Sequence, residues 1–191
     1  MTSARGAGRR AEIVAAAGEL FATSGYPAVG MDQIGAASGI TGPAIYRHFD
    51  SKAAVLAAVI DGIIDAVMQT PTEAHEDPAA QLAAQVRVYT EAVAARRQLM
   101  AVFVREIHHL PAEHRAGLEA RQRGLIRLWR TLLAQVHPDW PAEAVRTVVH
   151  ATFGMLNSVG TFASPLTDDE LAGHLRTVAE RSLALGRPHA G

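Results

Sequence analysis

The sequence predicts an all-α protein. Apolar residues recur at helical spacing along the whole chain, no run of Val, Ile and Thr alternates as a strand does, and alanine is abundant. The 191 residues are 49% hydrophobic, 5% aromatic and 19% charged, enough apolar material to bury one large domain or two small ones. No internal repeat is evident.

The elements follow in order. A first helix is expected from Arg9 to Ser24, because Ile13, Ala17, Leu20 and Phe21 form one apolar stripe and Gly25 supplies a left-handed stop. Tyr26 and Pro27 turn the chain. A short helix follows over 32–38, with Gly30 near its N-cap, Ile34 and Ala37 facing inward, Gly39 ending it and Ile40 as a plug. The third helix starts at Thr41, a good N-cap, tolerates Pro43 because first-turn amides need no intrahelical partner, and ends by Phe49. Asp50 or Ser51 caps a longer helix that carries Val55, Leu56, Val59, Ile60, Ile63, Ile64 and Val67, and Pro71 breaks it. The polar stretch from Thr70 to Pro78 reads as a loop. Further helices are expected over 79–95, 97–109, 113–137, 141–163 and 167–186, with Pro111, Pro138, Pro141 and Pro165 in the gaps. Residues 1–52 thus form a small three-helix domain, and residues 53–191 a larger helical one.

Composition removes several function classes. The 18 basic side chains nearly cancel 19 acidic ones, which argues against a chain that coats nucleic acid non-specifically but leaves room for one small DNA-reading module. Seventeen of the basic residues are arginine and the only lysine is Lys52, a usage in keeping with GC-rich coding. The absence of cysteine excludes disulfide frameworks, Cys-ligated zinc, iron–sulfur clusters and thiol nucleophiles. Arg5, Arg9 and Arg10 are not followed by a secretory apolar region, and no stretch of about 18 uncharged apolar residues occurs, so the expectation is a cytoplasmic protein with no membrane partner. His108, His109 and His114 do not make a metal site, since adjacent helical side chains point about 100° apart and no ligating i, i+4 pair joins them. No nucleophile elbow, phosphate loop or paired-carboxylate signature occurs. No enzyme, catalytic residue, metal or cofactor is expected.

The segment DQIGAASGITGPAIYRHF, from Asp32 to Phe49, has the spacing of a helix-turn-helix. Gly35 and Ala37 are small enough for two helices to approach closely, Gly39 permits the positive φ of the turn, and Ile34, Ile40, Ile45 and Phe49 fill a shared core. The second helix then presents Thr41, Gly42, Ala44, Tyr46, Arg47 and His48 to a DNA major groove. Lys52 begins the next helix, where its ammonium and the helix N-terminus suit a phosphate.

These residues resemble the TetR family of transcriptional regulators. The likeness rests on an amphipathic first helix ending in Leu20-Phe21 and Gly25-Tyr26, on Ile34 to Gly39, on Ile45-Tyr46-Arg47-His48-Phe49, and on Ser51-Lys52, and covers residues 9–60. The resemblance implies a homodimer that binds a palindromic double-stranded DNA operator, represses transcription and is released by a small-molecule effector held in the C-terminal domain. It assigns Tyr46, His48 and Lys52 to phosphates, and Thr41, Gly42 and Ala44 to base-facing positions. The chain departs from the family in having Gly30 where a Ser or Thr often caps the second helix, Gly42 where a Lys or Arg often begins the recognition helix, and Pro43 after it. Selectivity is therefore expected from Arg47 and Thr41, from van der Waals contacts of Pro43 and Ala44, from DNA shape, and from Arg5, Arg9 or Arg10 near the minor groove.

In the C-terminal part, Leu82, Val86, Tyr89 and Val93 form one stripe, Met100, Phe103, Val104 and Ile107 a second, and Leu118, Leu125, Trp129 and Leu132 a third. In a family whose pocket lies between these helices the stripes would line an apolar cavity, with Met100 and Met68 adapting its shape. Arg121 and Gln122 interrupt the third stripe, so one of them is a candidate to hold a ligand carboxylate, phosphate or carbonyl; the alternative is that Arg121 reaches solvent or pairs with an acid. Tyr89 and Trp129 are similar polar interruptions. The lining favours a hydrophobic or acyl-bearing effector. Stripes at Val145, Val148, Val149, Thr152, Phe153 and Leu156, and at Leu171, Leu175, Val178 and Leu185, imply by the same resemblance a four-helix bundle across a two-fold axis. A helical protein that sequesters a small molecule without binding an operator is the alternative function, because the recognition helix offers few strong donors.

Overall fold

The structure, a computed structural model, describes residues 2–185, with side chains from residue 8 onward. Among the described residues there are nine α-helices and no strand: α1 (Thr2–Ser24), α2 (Met31–Ala37), α3 (Gly42–Ile45), α4 (Lys52–Val67), α5 (Pro78–Ala95), α6 (Arg97–Glu106), α7 (Ala112–Val136), α8 (Ala142–Asn157) and α9 (Asp168–Ser182). Short 3-10 turns follow α6 at Ile107–His109 and α8 at Ser158–Thr161. No described helix is long and apolar enough to cross a membrane.

The helix ends obey the local chemistry. Ser51 caps α4 by accepting from the Ala54 amide at 3.1 Å, which selects it over Asp50. Asp77 caps α5 by accepting from Ala79 and Ala80 at 3.2 and 3.1 Å. Thr167 and Glu170 form a reciprocal capping box at α9, where the Thr167 amide donates to Glu170 Oε2 at 2.9 Å and holds that carboxyl below its ordinary range. Gly25 and Gly39 take φ of 78° and 72°, the left-handed region expected of both stops.

Five boundaries differ from expectation: α6 ends at Glu106, where a 3-10 turn takes over, rather than at 109, α9 ends at Ser182 rather than at 186, and α1, α3 and α8 differ as follows. Helix α1 begins seven residues earlier, at Thr2, because Ala4, Ala7, Arg9 and Arg10 are good helix formers. Helix α3 closes at Ile45, and its continuation tightens: the His48 amide donates to Ile45 O at 2.9 Å, an i to i−3 bond. Helix α8 stops at Asn157 because Ser158 and Thr161 turn their hydroxyls onto the Met155 and Ser158 carbonyls, at 2.7 and 2.6 Å.

The chain forms two compact units. One runs to Ile64 and includes Gln98–Leu118; the other contains Asp65–Arg97 and the chain from Glu119 onward. In the first, Ile13, Ala17, Phe21, Ile34, Ile45, Phe49, Leu56 and Ile60 make a buried core. The face of α2 turned to this core is Ile34 and Gly35, so Ala37, expected inward, is exposed. In the second unit α5 packs against α9 and α8. Its centre is an aromatic cluster, with Tyr89 edge-on to Trp129 and Phe153 at 5.8 and 5.2 Å and Trp129 against Phe153 at 4.5 Å.

Candidate functional site

The first unit presents the recognition segment with its apolar side inward. A Cβ on Gly35 would lie 3.1 Å from the Ile40 carbonyl, so α2 approaches the turn closely at this position and a larger residue would be tight there. Ile45 and Phe49 are buried and Ile40 and His48 half-buried, while Thr41, Pro43, Tyr46 and Arg47 are exposed, with Gly42 and Ala44 half-buried beside them. Tyr46 stands out at 53% exposure, an aromatic side chain with no core role. Thr41 does not use its hydroxyl as a cap, which leaves that group on the outer surface.

Gly42 lies against the Asp32 side chain. A Cβ at that position would overlap the carboxylate of Asp32, a residue of α2 that sequence reasoning passed over. The place where a long basic side chain would begin is therefore taken by an acid.

Arg9, Arg10 and Lys52, beside this surface, are engaged with backbone carbonyls. Arg9 donates to Ser38 O at the end of α2 (3.2 Å) and pairs with Glu12 at 2.6 Å. Arg10 donates to His48 O at 2.7 Å, with its guanidinium 4.0 Å above the Phe49 ring. Both arginines thus cap C-terminal ends of the helix-turn-helix, a role their sequence positions did not reveal. The Arg5 side chain lies outside the described residues. Lys52 Nζ donates to Val29 O at 2.8 Å, Tyr26 O at 2.9 Å and Pro27 O at 3.4 Å, and sits 4.4 Å above the Tyr26 ring.

Tyr26 is also held from the other side. Its amide donates to Oε1 of Glu106 at 3.4 Å, and its ring lies 5.3 Å from Phe21 and 5.0 Å from His109. Burial, with the Glu106 charge adding to it, raises the Tyr26 phenol above its ordinary pKa. Arg105 donates to Ala22 O at 3.1 Å, a second tie from α6 to the end of α1.

The seven ligand candidates divide between the units. Met100, buried, and Phe103, half-buried, belong to the first; Tyr89, Arg121, Gln122, Leu125 and Trp129 belong to the second. Tyr89 donates to Asn157 Oδ1 at 2.7 Å, and burial pushes its phenol far above the ordinary range. Trp129 is fully buried, and among the described residues its Nε1 has no hydrogen-bond partner. Leu125 is buried, Gln122 half-buried, and Arg121 exposed in an ion pair with Asp65. A separate open groove of about 450 Å³ in the second unit is lined by Arg127, Arg130, Trp140 and Val145, among others, and by none of the seven candidates. Of the α8 and α9 stripes, Val145, Val149, Phe153, Leu156 and Leu171 are buried inside the unit, whereas Val178 is 47% exposed. Among the described residues no group of three or more His, Asp or Glu side chains is arranged to hold a metal ion.

Comparison with known proteins bears on both units. Residues 13–59 match the bacterial regulatory proteins of the tetR family, and residues 75–178 match the tetracyclin repressor-like C-terminal domain. The chain is 33% identical over 111 residues to the HTH-type transcriptional repressor KstR2 of Rhodococcus jostii, covering 56% of this chain and 54% of that protein. It spans about half the length of that curated relative. Among solved structures it superposes on a TetR-family transcriptional regulator from Bordetella parapertussis with a TM-score of 0.76 and 26% identity, over 89% of this chain and 93% of that one. It also shares the fold of AibR, solved with isovaleryl coenzyme A and operator DNA, at a TM-score of 0.74 and 21% identity, over 89% and 97% of the two chains.

Proposed function

Since the chain belongs to the TetR family of bacterial regulatory proteins, we propose that it is a cytoplasmic, ligand-responsive repressor that binds a palindromic operator as a homodimer and releases it when a small hydrophobic or acyl-bearing effector binds. One observation carries the DNA-binding part: the recognition segment turns Thr41, Pro43, Tyr46 and Arg47 outward while Ile45 and Phe49 anchor it. On this reading residues 1–52 are the DNA-binding domain and residues 53–191 the effector and dimer domain. Tyr46, Arg47 and His48 contact phosphates and base edges, and Thr41, Gly42, Pro43 and Ala44 form the close-fitting start of the helix in the groove. Lys52 supports them from behind.

The effector part rests on the second unit. Trp129 Nε1 is a donor left unpaired in an apolar interior, an arrangement whose penalty a ligand acceptor would remove. Tyr89, on α5, and Leu125 and Gln122, on α7 with Trp129, stand as candidates within that unit. Arg121 would exchange Asp65 for an anionic group of the effector. AibR, with its acyl coenzyme A and operator, supports the effector class by analogy of fold. The coupling between sites needs to be about 1–3 kcal/mol to change operator occupancy usefully.

The test is selection of random duplex DNA by the purified chain at a stated salt concentration. Enrichment of a near-palindrome with half-sites about one helical turn or somewhat more apart is the expected result. A folded protein that enriches no motif would overturn operator binding and leave small-molecule sequestration.

A further inference from the structure

Position 52 holds the one lysine in a chain whose other 17 basic residues are arginine. We propose that Lys52 is a positioning residue of the DNA-binding unit: its ammonium clamps the Tyr26–Val29 turn and makes no phosphate contact. The proposal rests on the operator-binding reading above. An ammonium carries three N–H donors on one point charge. Here three carbonyls, those of Tyr26, Pro27 and Val29, converge on it at 2.9, 3.4 and 2.8 Å, and the Tyr26 ring faces it at 4.4 Å. Every donor is used within the protein, so a phosphate could take one only by stripping a backbone carbonyl.

The same geometry explains why lysine persists where the rest of the chain uses arginine. A guanidinium is planar, and its donors point outward along a rigid fork, so it cannot aim three of them at carbonyls gathered around one point. The turn it would have to hold leads directly into α2. Val29 is buried at the far end of that turn, Gly30 is the N-cap of α2, and α2 carries Asp32 and Gly35 against the start of α3. Glu106 holds the amide side of Tyr26 while Lys52 holds the carbonyl side. Loosening the clamp therefore tilts α2 and the recognition helix resting on it, and specific DNA binding suffers without the loss of any DNA contact.

Two measurements decide it. The first is reductive methylation of the intact wild-type chain, read by mass spectrometry at its single lysine, natively and in urea, with and without operator DNA. The clamp predicts that native Lys52 reacts at least about tenfold more slowly than in urea, already in the absence of DNA, as a lysine held by several hydrogen bonds should. Free reaction without DNA, with protection only once operator is added, would overturn the proposal. The second compares Lys52→Arg and Lys52→Met for affinity to operator and to random DNA across a salt series. The clamp predicts that both variants lose roughly tenfold of the specific-to-random ratio, with the wild-type salt slope retained. A phosphate contact predicts the opposite: Lys52→Arg behaves as wild type, and Lys52→Met lowers the slope by about 0.9. Should wild type select no operator at all, the underlying reading fails, while the methylation result still decides whether the clamp exists.

Discussion

Arg47 and Tyr89 show how differently two polar residues act within one chain. Arg47 is exposed, so Arg47→Ala is expected to leave thermal stability within about 0.5 kcal/mol. If it meets a phosphate, operator affinity falls and the slope of log affinity against log salt drops by about 0.9; an unchanged slope would remove it from the phosphate set. Tyr89 lies inside an aromatic cluster with its phenol raised by burial and its hydroxyl on Asn157. The sign of its pH effect follows. Below the ordinary phenol pKa the side chain is protonated in both states; above it the unfolded chain ionises first, so native stability falls as pH climbs through that region. Tyr89→Phe should lose about 1 kcal/mol at neutral pH through the broken bond and flatten the alkaline limb of the stability profile. Denaturant titrations at several pH values check both, and an unaltered alkaline limb would refute the assignment.

The elements are held by caps and by close approaches that single substitutions can probe. Gly35 lies where a Cβ would meet Ile40 O at 3.1 Å and the Gly42 amide nitrogen at 3.4 Å, so Gly35→Ala should destabilise the first unit by about 1–3 kcal/mol. Its operator affinity should fall further than that of Arg47→Ala, because the whole turn moves. Calorimetry and a binding assay on one preparation test this together. At the opposite end of the chain, the Thr167 amide keeps Glu170 ionised below the usual carboxylate range. A carboxyl with a depressed folded-state pKa contributes stability above its unfolded pKa and loses it as pH falls through the folded one. Glu170→Gln, which removes the titrating carboxyl, should therefore flatten the acid limb of α9 unfolding, followed by circular dichroism, and an acid limb identical to wild type would show the box to be idle.

At the scale of the whole molecule, dimerisation and ligand response are the properties to measure. The Val178 side chain is apolar and 47% exposed on α9, and most of the remaining α8 and α9 stripe is consumed inside the unit. If α9 contributes to an isologous interface, Val178→Asp places two unpaired charges near the two-fold axis. Sedimentation should then find wild-type dimers and variant monomers, with palindrome binding lost in the variant; dimers in both would move the interface elsewhere. Helix α4, from Lys52 to Val67, belongs to the first unit as far as Ile64 and continues into the second.

Periodicity, turn glycines and cap residues determined the helical class, the order of the nine described helices and the helix-turn-helix between Asp32 and Phe49, because these depend on neighbours within a few positions along the chain. The outward-facing Tyr46 and Arg47 were legible for the same reason: the inward positions, Ile45 and Phe49, lie beside them in sequence. Other features depended on residues distant in sequence meeting in space. Arg10 reaches His48 O across 38 positions, Lys52 reaches Tyr26 O across 26, and the Tyr26 amide meets Glu106 across 80. No local pattern encodes such pairs, so only the tertiary structure could turn residues that read as DNA-facing cations into clamps on backbone carbonyls. The effector candidates were less legible still, since an apolar stripe looks the same whether it fills a core or lines a cavity. The unpaired Nε1 of Trp129 emerged only when every neighbour of that indole was in place.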